Sequence, residues 1–236
     1  MNNKTGCLIC GAELVYGTDY QTFECYYCRE TFQSNVTCVN NHFVCDKCHA
    51  KSGVELIESY CLNSKSINPI EMATEIMHNE KIKMHGPEHH FLVPAVLISA
   101  YCNVLNDASK PLKLETARKR AEKVLGGLCG THGNCGAGVG TGIFISIITN
   151  STSLSKEGWG LSNLMTGKSL ISIASYNGPQ CCKRDVYLSI VESIQFLQEK
   201  FNISLNSSEI LCQFSDYNKW CLKNSCSFFS MSGSKG

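Results

Sequence analysis

The sequence is poor in charge, in proline and in long apolar runs. Of its 236 residues only 17% are charged and five are prolines, while 43% are hydrophobic, so we expect a sizeable core and no bulk disorder. Lysine and arginine number 21 against 20 aspartates and glutamates, a balance that gives no electrostatic reason for a nucleic-acid or anionic-membrane partner. The longest apolar stretches, at about 91–100 and 143–148, are too short to span a bilayer.

Cysteine, in contrast, is abundant, with 16 in the chain. Residues 1–7 show neither a basic n-region nor an apolar h-region, so we expect no signal peptide and a cytoplasmic location. Thiols stay reduced in that compartment, and dense cysteine there indicates metal ligands or catalysis rather than disulfides.

The residue pattern predicts a mainly α fold in three segments. We expect a cysteine-rich zinc-binding head of the zinc-ribbon or treble-clef kind over 1–62, an all-helical body over 63–205 and a cysteine-containing tail over 206–236. Asn68 and Pro69 predict the cap and the first residue of one body helix. Further helices are predicted at about 90–106, 112–126, 135–150, 157–174 and 180–201.

The head contains four ligand pairs, and eight ligands are the number that two tetrahedral zinc ions need. The pairs are Cys7 and Cys10, Cys25 and Cys28, Cys38 and His42, and Cys45 and Cys48. Zn²⁺ prefers thiolate and imidazole, and the short gap inside each pair lets both members reach one ion. His49 and Cys61 are expected to lie outside these sites.

The spacing leaves the partnership of the four pairs open. Sequential pairing gives a zinc ribbon followed by a knuckle, whereas crossed pairing gives a brace like that of RING or FYVE domains. We expect the two ions to be a structural staple, with ubiquitin-ligase activity, lipid-headgroup binding and an iron–sulfur site in the head as the alternatives.

Three polar or thiol-rich entrances precede predicted helices of the body. The first holds Cys129, His132 and Cys135 before a glycine-rich stretch at 136–142. Close packing of another helix explains the glycines but not the thiols, and a thiol at a helix N-terminus is expected to be favoured as thiolate.

The second entrance holds Cys181 and Cys182, which we predict in the first turn of a helix that begins at Pro179, next to Lys183 and Arg184. The third, residues 84–90, includes His85. We expect the three entrances to share one buried site, and the alternative is three separate structural roles.

The order of three short motifs in the body resembles the α-type catalytic domain of iron–sulfur L-serine dehydratases, and L-cysteine desulfidases are similar. The motifs are residues 85–97, 133–140 and 178–184. The resemblance implies an all-helical fold and a [4Fe–4S] cluster on three cysteines, with an open fourth iron that binds the substrate as a Lewis acid and assists β-elimination. The whole chain also resembles an uncharacterised domain family of anaerobic archaea and bacteria, whose members sometimes accompany methyltransferase domains.

Carried over by position, the resemblance implies Cys135 and Cys182 (or Cys181) as cluster ligands. The third ligand of the dehydratases falls near Ser175, where this chain has no cysteine. Either Cys129 or the other member of the 181/182 pair then supplies the third thiolate, or the cluster is absent.

The first functional hypothesis is therefore a metal-binding enzyme, an iron–sulfur lyase or sulfur-transfer protein that acts on a small amino-acid-like or thiolated substrate. His132 or His85 would be the base, and Lys183 with Arg184 would hold a carboxylate. In the structural alternative, His132 is a core histidine and the two cations are solvated charges.

Two other hypotheses stay open. The protein could be a non-enzymatic adaptor with a zinc-bound head, or a metal or sulfur carrier, whose helical body binds a partner protein. The other hypothesis is electron transfer, which would need fully ligated clusters, but the cysteine spacing of ferredoxins is missing. The low charge content is consistent with a homo-oligomer.

The three tail cysteines have three alternative roles: they complete a third metal site, dock as a lid on the body or pack as structural thiols. They are Cys212, Cys221 and Cys226.

Overall fold

The computed structural model describes residues 6–230 and confirms a mainly helical fold with a small cysteine-rich head. An antiparallel hairpin of β1 (Leu14–Glu24) and β2 (Thr31–Cys38) comes first. The helices that follow are α1 (Asp46–Asn63), α2 (Pro69–Met77), α3 (Glu88–Leu105), α4 (Lys110–Ala121), α5 (Leu128–Thr131), α6 (Gly136–Ile148), α7 (Glu157–Ala174) and α8 (Cys182–Phe201). The parts of the predicted head and tail at 1–5 and 231–236 lie outside the described residues.

The hairpin sets the layout of the head. Leu14 pairs with Cys38 at one end and Glu24 with Thr31 at the other, with a register shift between Tyr16 and Gln21. The chain segment before β1 therefore lies beside the end of β2, while the turn between the strands lies at the opposite end.

Helix α1 belongs to both the head and the body. Its first turn carries Cys48, while Val54, Ile57 and Cys61 on its later turns are buried in the body core. The side chain of Asp46 accepts a hydrogen bond from the amide of Gly126 (2.7 Å), which fastens the start of α1 to the body. The predicted division near residue 62 thus falls at the end of a helix that the two parts share, and the division itself stays a prediction.

Helix α3 is the central element of the body and packs against α1, α2, α4, α6 and α8. It is apolar on nearly all sides, and every residue from Phe91 to Ile98 is apolar and buried. Such a helix is stable only when other helices surround it, because no face of it can be left to water.

The glycines of α6 allow two neighbouring helices to come close. A Cβ on Gly140 would lie 2.8 Å from Cδ of Pro94 in α3, and a Cβ on Gly142 would lie 3.0 Å from the carbonyl oxygen of Ser162 in α7. The packing explanation of the glycine-rich stretch is therefore confirmed.

The two predicted helix starts have different outcomes. Asn68 caps α2 as predicted, because its Oδ1 accepts hydrogen bonds from the amides of Ile70 (3.1 Å) and Glu71 (3.3 Å). The prediction for Pro179 is wrong: this residue follows a cis peptide bond in the loop, and α8 begins only at Cys182, with Cys181 as an extended N-cap residue. Beyond the hairpin, the described part of the chain has one isolated bridge, Cys212 with Phe229.

The connection between α3 and α4 depends on Asp107. Its carboxylate accepts hydrogen bonds from the Ser109 amide (2.8 Å) and from Nζ of Lys113 (2.7 Å), and the lysine is the first cause that lowers the pKa of Asp107 to about 2. Because the pKa of Asp107 is lower in the folded state, its carboxylate stabilises the fold at pH values above the unfolded-state pKa. This stabilisation is lost as the pH falls towards 2. We expect Asp107→Asn to cost on the order of 1 kcal/mol at pH 7, after solvent screening, and progressively less below pH 4.

Urea unfolding of the wild type and of Asp107→Asn at a series of pH values measures this difference. An equal difference at pH 7 and pH 2.5 would contradict the electrostatic explanation.

None of the described helices is both long and apolar enough to cross a membrane.

Candidate metal centres

The first candidate centre lies where the N-terminal segment meets the end of β2. It consists of Cys7, Cys10, Cys38 and His42, whose ligand atoms all lie within 4.8 Å of one another. Sγ of Cys10 is 3.9 Å from Sγ of Cys38 and 3.3 Å from Nδ1 of His42. The amides of Ile9 and Asn40 point at the sulfur atoms of Cys7 (3.4 Å) and Cys38 (3.3 Å).

The second centre lies at the other end of the hairpin, against the start of α1. It consists of Cys25, Cys28, Cys45 and Cys48, again with every ligand atom within 4.8 Å of the others. Sγ of Cys28 and Sγ of Cys45 are 3.8 Å apart, and the Cys45 amide donates to Sγ of Cys25 (3.3 Å). The turn closes through the amide of Arg29, which donates to the carbonyl of Cys25 (3.0 Å).

Both centres have the dimensions of a tetrahedral site. A metal–sulfur bond of about 2.3 Å places two thiolates of a tetrahedron roughly 3.8 Å apart, which agrees with the 3.8 and 3.9 Å separations above. Amide hydrogen bonds to the sulfur atoms are the outer-shell support that thiolate ligands commonly have. The two clusters can therefore hold metal ions such as zinc.

The pairing in the head is crossed. The first and third ligand pairs form one centre and the second and fourth form the other. The hairpin explains this arrangement, because its two ends separate the second pair from the first. Cys61 lies outside both centres, buried in the body core on α1.

In the body, the thiols of three helices come together at the start of α8. Cys129 lies on α5, Cys135 is the N-cap residue of α6, and Cys182 is the first residue of α8. The thiol of Cys129 donates to Oε1 of Gln180 (3.1 Å) and that of Cys135 to Oδ2 of Asp185 (3.7 Å), so both lie beside the start of α8, where Cys182 is the first residue. The site residues predicted from the first two entrances thus lie in one region.

These thiols do not have the lowered pKa values expected at helix N-termini. Burial raises the pKa of Cys135 to about 12 and that of Cys181 to about 11, and the carboxylate of Asp185 adds to both shifts. Backbone amides oppose the effect but are weaker than the cost of burying a thiolate. The expectation of helix-activated thiolates was wrong for this reason.

The two cations at the start of α8 are buried. Lys183 is 0% exposed and Arg184 5% exposed, so the alternative of solvated first-turn charges was wrong. Nε of Arg184 lies 3.2 Å from the carboxylate of Asp185, and Nζ of Lys183 lies 5.0 Å from the ring centre of Phe214. Burial lowers the pKa of Lys183 to about 8.

The histidine candidates have different surroundings. His132 is exposed at the end of α5, where its Nδ1 lies 2.7 Å from the hydroxyl of Thr131, so the alternative of a core histidine was wrong. His85 is partly buried, its ring is 5.8 Å from that of Trp220, and burial lowers its pKa. Neither ring nitrogen of His85 has a hydrogen-bond partner among the described residues.

The third entrance also contains a buried carboxyl group. Glu88 is 0% exposed, and burial raises its pKa to about 7. One of its oxygens accepts a hydrogen bond from the amide of Lys83 (2.8 Å), while the other lies 3.9 Å from Nδ1 of His49. Nothing in the residue pattern alone marked Glu88 as buried, because it follows Pro87 in what reads as a polar loop.

Sequence reasoning missed one more residue near the thiols. Asp185 accepts from the thiol of Cys135 (3.7 Å), and its place in the first turn of α8 was the available signal.

The comparisons with known proteins give one match. The family model described as "Family of unknown function (DUF5714)" matches residues 57–229, which is most of the chain and excludes the two head centres. No curated protein and no solved structure matches the chain.

Proposed function

Since the chain belongs to the DUF5714 family of unknown function, we propose its function from the metal centres: a two-zinc head on a helical body that is an iron–sulfur lyase. The carrying observation is that Cys129 and Cys135 hydrogen-bond to Gln180 and Asp185, the residues that flank Cys181 and Cys182 at the start of α8. Three thiols are the number that leaves one iron of a [4Fe–4S] cluster open. Such an iron, when bound, supplies Lewis-acid assistance to a leaving hydroxyl or thiol group.

Zinc in the head follows from the ligand set. Seven thiolates and one imidazole in two tetrahedral groups match the preference of Zn²⁺. The second ion ties the hairpin turn to the start of α1, and the first ties the N-terminal segment to the end of β2. The head needs such cross-links because the outward side chains of β1 are mostly exposed. The head in this proposal is structural.

The remaining groups have separate roles in β-elimination. A base removes the proton from Cα of an amino acid while the hydroxyl or thiol leaves Cβ with the bonding electrons. His132 is the accessible base, since it is exposed and lies between Cys129 and Cys135 in the chain. Lys183 is fully buried and serves as a counter-charge to the thiolates rather than as a substrate ligand.

The test is iron and sulfide content of protein purified without air, together with pyruvate release from L-serine and L-cysteine. We expect Cys135→Ala to lose about four iron atoms per chain and to lower elimination about a hundredfold or more, because the open iron is lost with its cluster. The matched control is Cys102→Ala, which removes a buried thiol of α3 away from this region. Unchanged iron and activity in Cys135→Ala would overturn the proposal.

A partner-binding adaptor is the second candidate, and the surface of the head favours it. Four tyrosines of the head are between 43% and 62% exposed: Tyr16, Tyr20, Tyr26 and Tyr27. The rings of Tyr26 and Tyr27 are 5.6 Å apart, and exposed aromatic side chains are typical of protein-binding surfaces. A colourless protein that holds zinc alone, and that tolerates Cys135→Ala, would support this function instead of the lyase.

A further inference from the structure

The tail is irregular in conformation but firmly attached to the body. The amide of Asn206 donates to the carbonyl of Ile67 (3.1 Å), and Nε2 of His78 lies 2.9 Å from Oε1 of Gln213. Further along, the rings of Phe228 and Tyr187 are 5.6 Å apart. The tail therefore closes over the start of α8 as part of the fold.

A cavity lies between the tail and the start of α8, and four cysteines line it. They are Cys181, Cys212, Cys221 and Cys226. All four are partly buried. The four thiols therefore share one enclosed space that the tail forms with the start of α8.

Two of the tail sulfur atoms accept backbone hydrogen bonds of the kind seen in the head. The amide of Phe214 donates to Sγ of Cys212 (3.4 Å), and the amide of Lys223 donates to Sγ of Cys221 (3.4 Å). In both cases the donor is two residues after the cysteine. Cys7 and Cys38 accept from the amides of Ile9 and Asn40 at the same spacing within the first metal centre.

Buried positive charge surrounds this cavity. Arg184 is 5% exposed and forms part of the wall. Lys183 is 0% exposed, and its Nζ lies 5.0 Å from the centre of the Phe214 ring, which lines the cavity. Two buried cations beside four thiols suit a centre whose net charge is negative, as it is when four thiolates bind an iron–sulfur cube.

The arrangement differs from a single-ion site. Among the described residues, the groups of three or more ligand atoms that all lie within 4.8 Å of one another are the two in the head. Cys181 and the tail cysteines instead line one cavity without such a close approach, as ligands do when irons and sulfides lie between them. The aromatic wall, with Tyr187, Phe214 and Phe228, excludes water as a cluster site requires.

We propose that Cys181, Cys212, Cys221 and Cys226 hold a [4Fe–4S] cluster in this cavity, separate from the cluster of Cys129, Cys135 and Cys182. All four irons are ligated, so this cluster binds no substrate and instead ties the tail to α8. The adjacent residues Cys181 and Cys182 then serve two different centres, which explains why two consecutive cysteines begin one helix.

The test compares iron, sulfide and zinc in the full chain after anaerobic reconstitution with iron and sulfide. Wild type is expected to hold about eight iron atoms and about two zinc ions per chain. Cys221→Ala and Cys226→Ala should each lose about four iron atoms while they keep both zinc ions. Cys61→Ala, a buried cysteine of α1 outside every centre, is the matched control and should keep all the metal.

The outcomes separate this inference from the proposed lyase. If Cys226→Ala loses iron and Cys135→Ala does not, the tail cluster stands and the lyase cluster fails; the reverse result removes the tail cluster alone. Zinc instead of iron in the tail, detected as a third zinc ion that Cys226→Ala releases, would also overturn the inference. Far-UV circular dichroism and the retained head zinc show that each variant is folded.

Discussion

Replacing Cys10 by serine and His42 by alanine in one chain should remove one of the two zinc ions, whereas replacing Cys10 and Cys28 by serine should remove both. The reason is the crossed pairing: Cys10 and His42 share the first centre, and Cys28 belongs to the second. Sequential pairing would give the opposite pattern, since Cys10 and Cys28 would then share one ion. Zinc analysis of the two double variants measures the difference directly.

The expected effect is large because structural zinc contributes about 10–16 kcal/mol of apparent binding free energy, most of which depends on a complete ligand set. Loss of the second centre should also loosen the start of α1, where Cys45 is the N-cap residue. Val54 and Ile57, buried in the body, should keep the later turns helical. Limited proteolysis is therefore expected to cleave between residues 25 and 48 and to spare the body.

The control for this experiment is Cys102→Ala, because Cys102 is buried in α3 and far from the head in the fold. It should retain about two zinc ions. Retention of two ions by either double variant would contradict the proposal that these residues are ligands. Loss of both ions from Cys10→Ser with His42→Ala, together with loss of one ion from the Cys10/Cys28 variant, would indicate sequential pairing. Loss of both ions from both double variants would mean that the two centres fold only together.

Gly140→Val is expected to destabilise the body by about 3 kcal/mol, since it forces α3 and α6 apart. A Cβ at this position would lie 2.8 Å from Cδ of Pro94, 3.1 Å from the carbonyl oxygen of His90 and 3.2 Å from Cβ of Val93. These atoms belong to the backbone or lie close to it, so rotamer changes cannot relieve the clash. For a chain of this size we expect a melting temperature roughly 6–12 °C lower.

Gly167→Ala in α7 is the matched control, because nothing lies within 4 Å of a Cβ there. Alanine in a helix interior without a clash should stabilise the protein by about 0.5–1 kcal/mol. Thermal unfolding of both variants with zinc bound compares them under the same conditions. A Gly140→Val variant as stable as the wild type would show that the two helices separate at little cost.

The helices of the body were largely predictable from the residue pattern. Strong signals such as the Asn68 cap and the apolar stretch at 91–100 depend on neighbours in the chain, and α2 and α3 form where they indicate. The prediction at Pro179 failed because a proline suits a loop as well as a first helical turn. The extended backbone at Cys181 shows that the loop continues to this residue and that the helix begins after it.

The sequence predicts which residues form the candidate metal sites but not which of them share one ion. Four closely spaced pairs identify the eight head ligands, because the type and spacing of the residues are local properties. Which pairs share an ion depends on the register of β1 and β2, and this is decided when the hairpin folds. The burial of Lys183, whose Nζ donates to the carbonyls of Met77 (3.4 Å) and Ile82 (3.5 Å), and of Arg184, which lines a cavity with tail residues, likewise follows from tertiary packing.

By itself, the sequence determined that this protein is mainly helical, carries two clusters of metal-ligating side chains at its start and has further thiols at helix entrances. The tertiary structure decided that the head is cross-braced, that Cys181 and Cys182 have different neighbours, and that the tail cysteines reach α8. The physical reason is distance along the chain. Ligand type and helix signals act over a few residues, whereas the meeting of Cys181 with Cys226 depends on how the whole body packs.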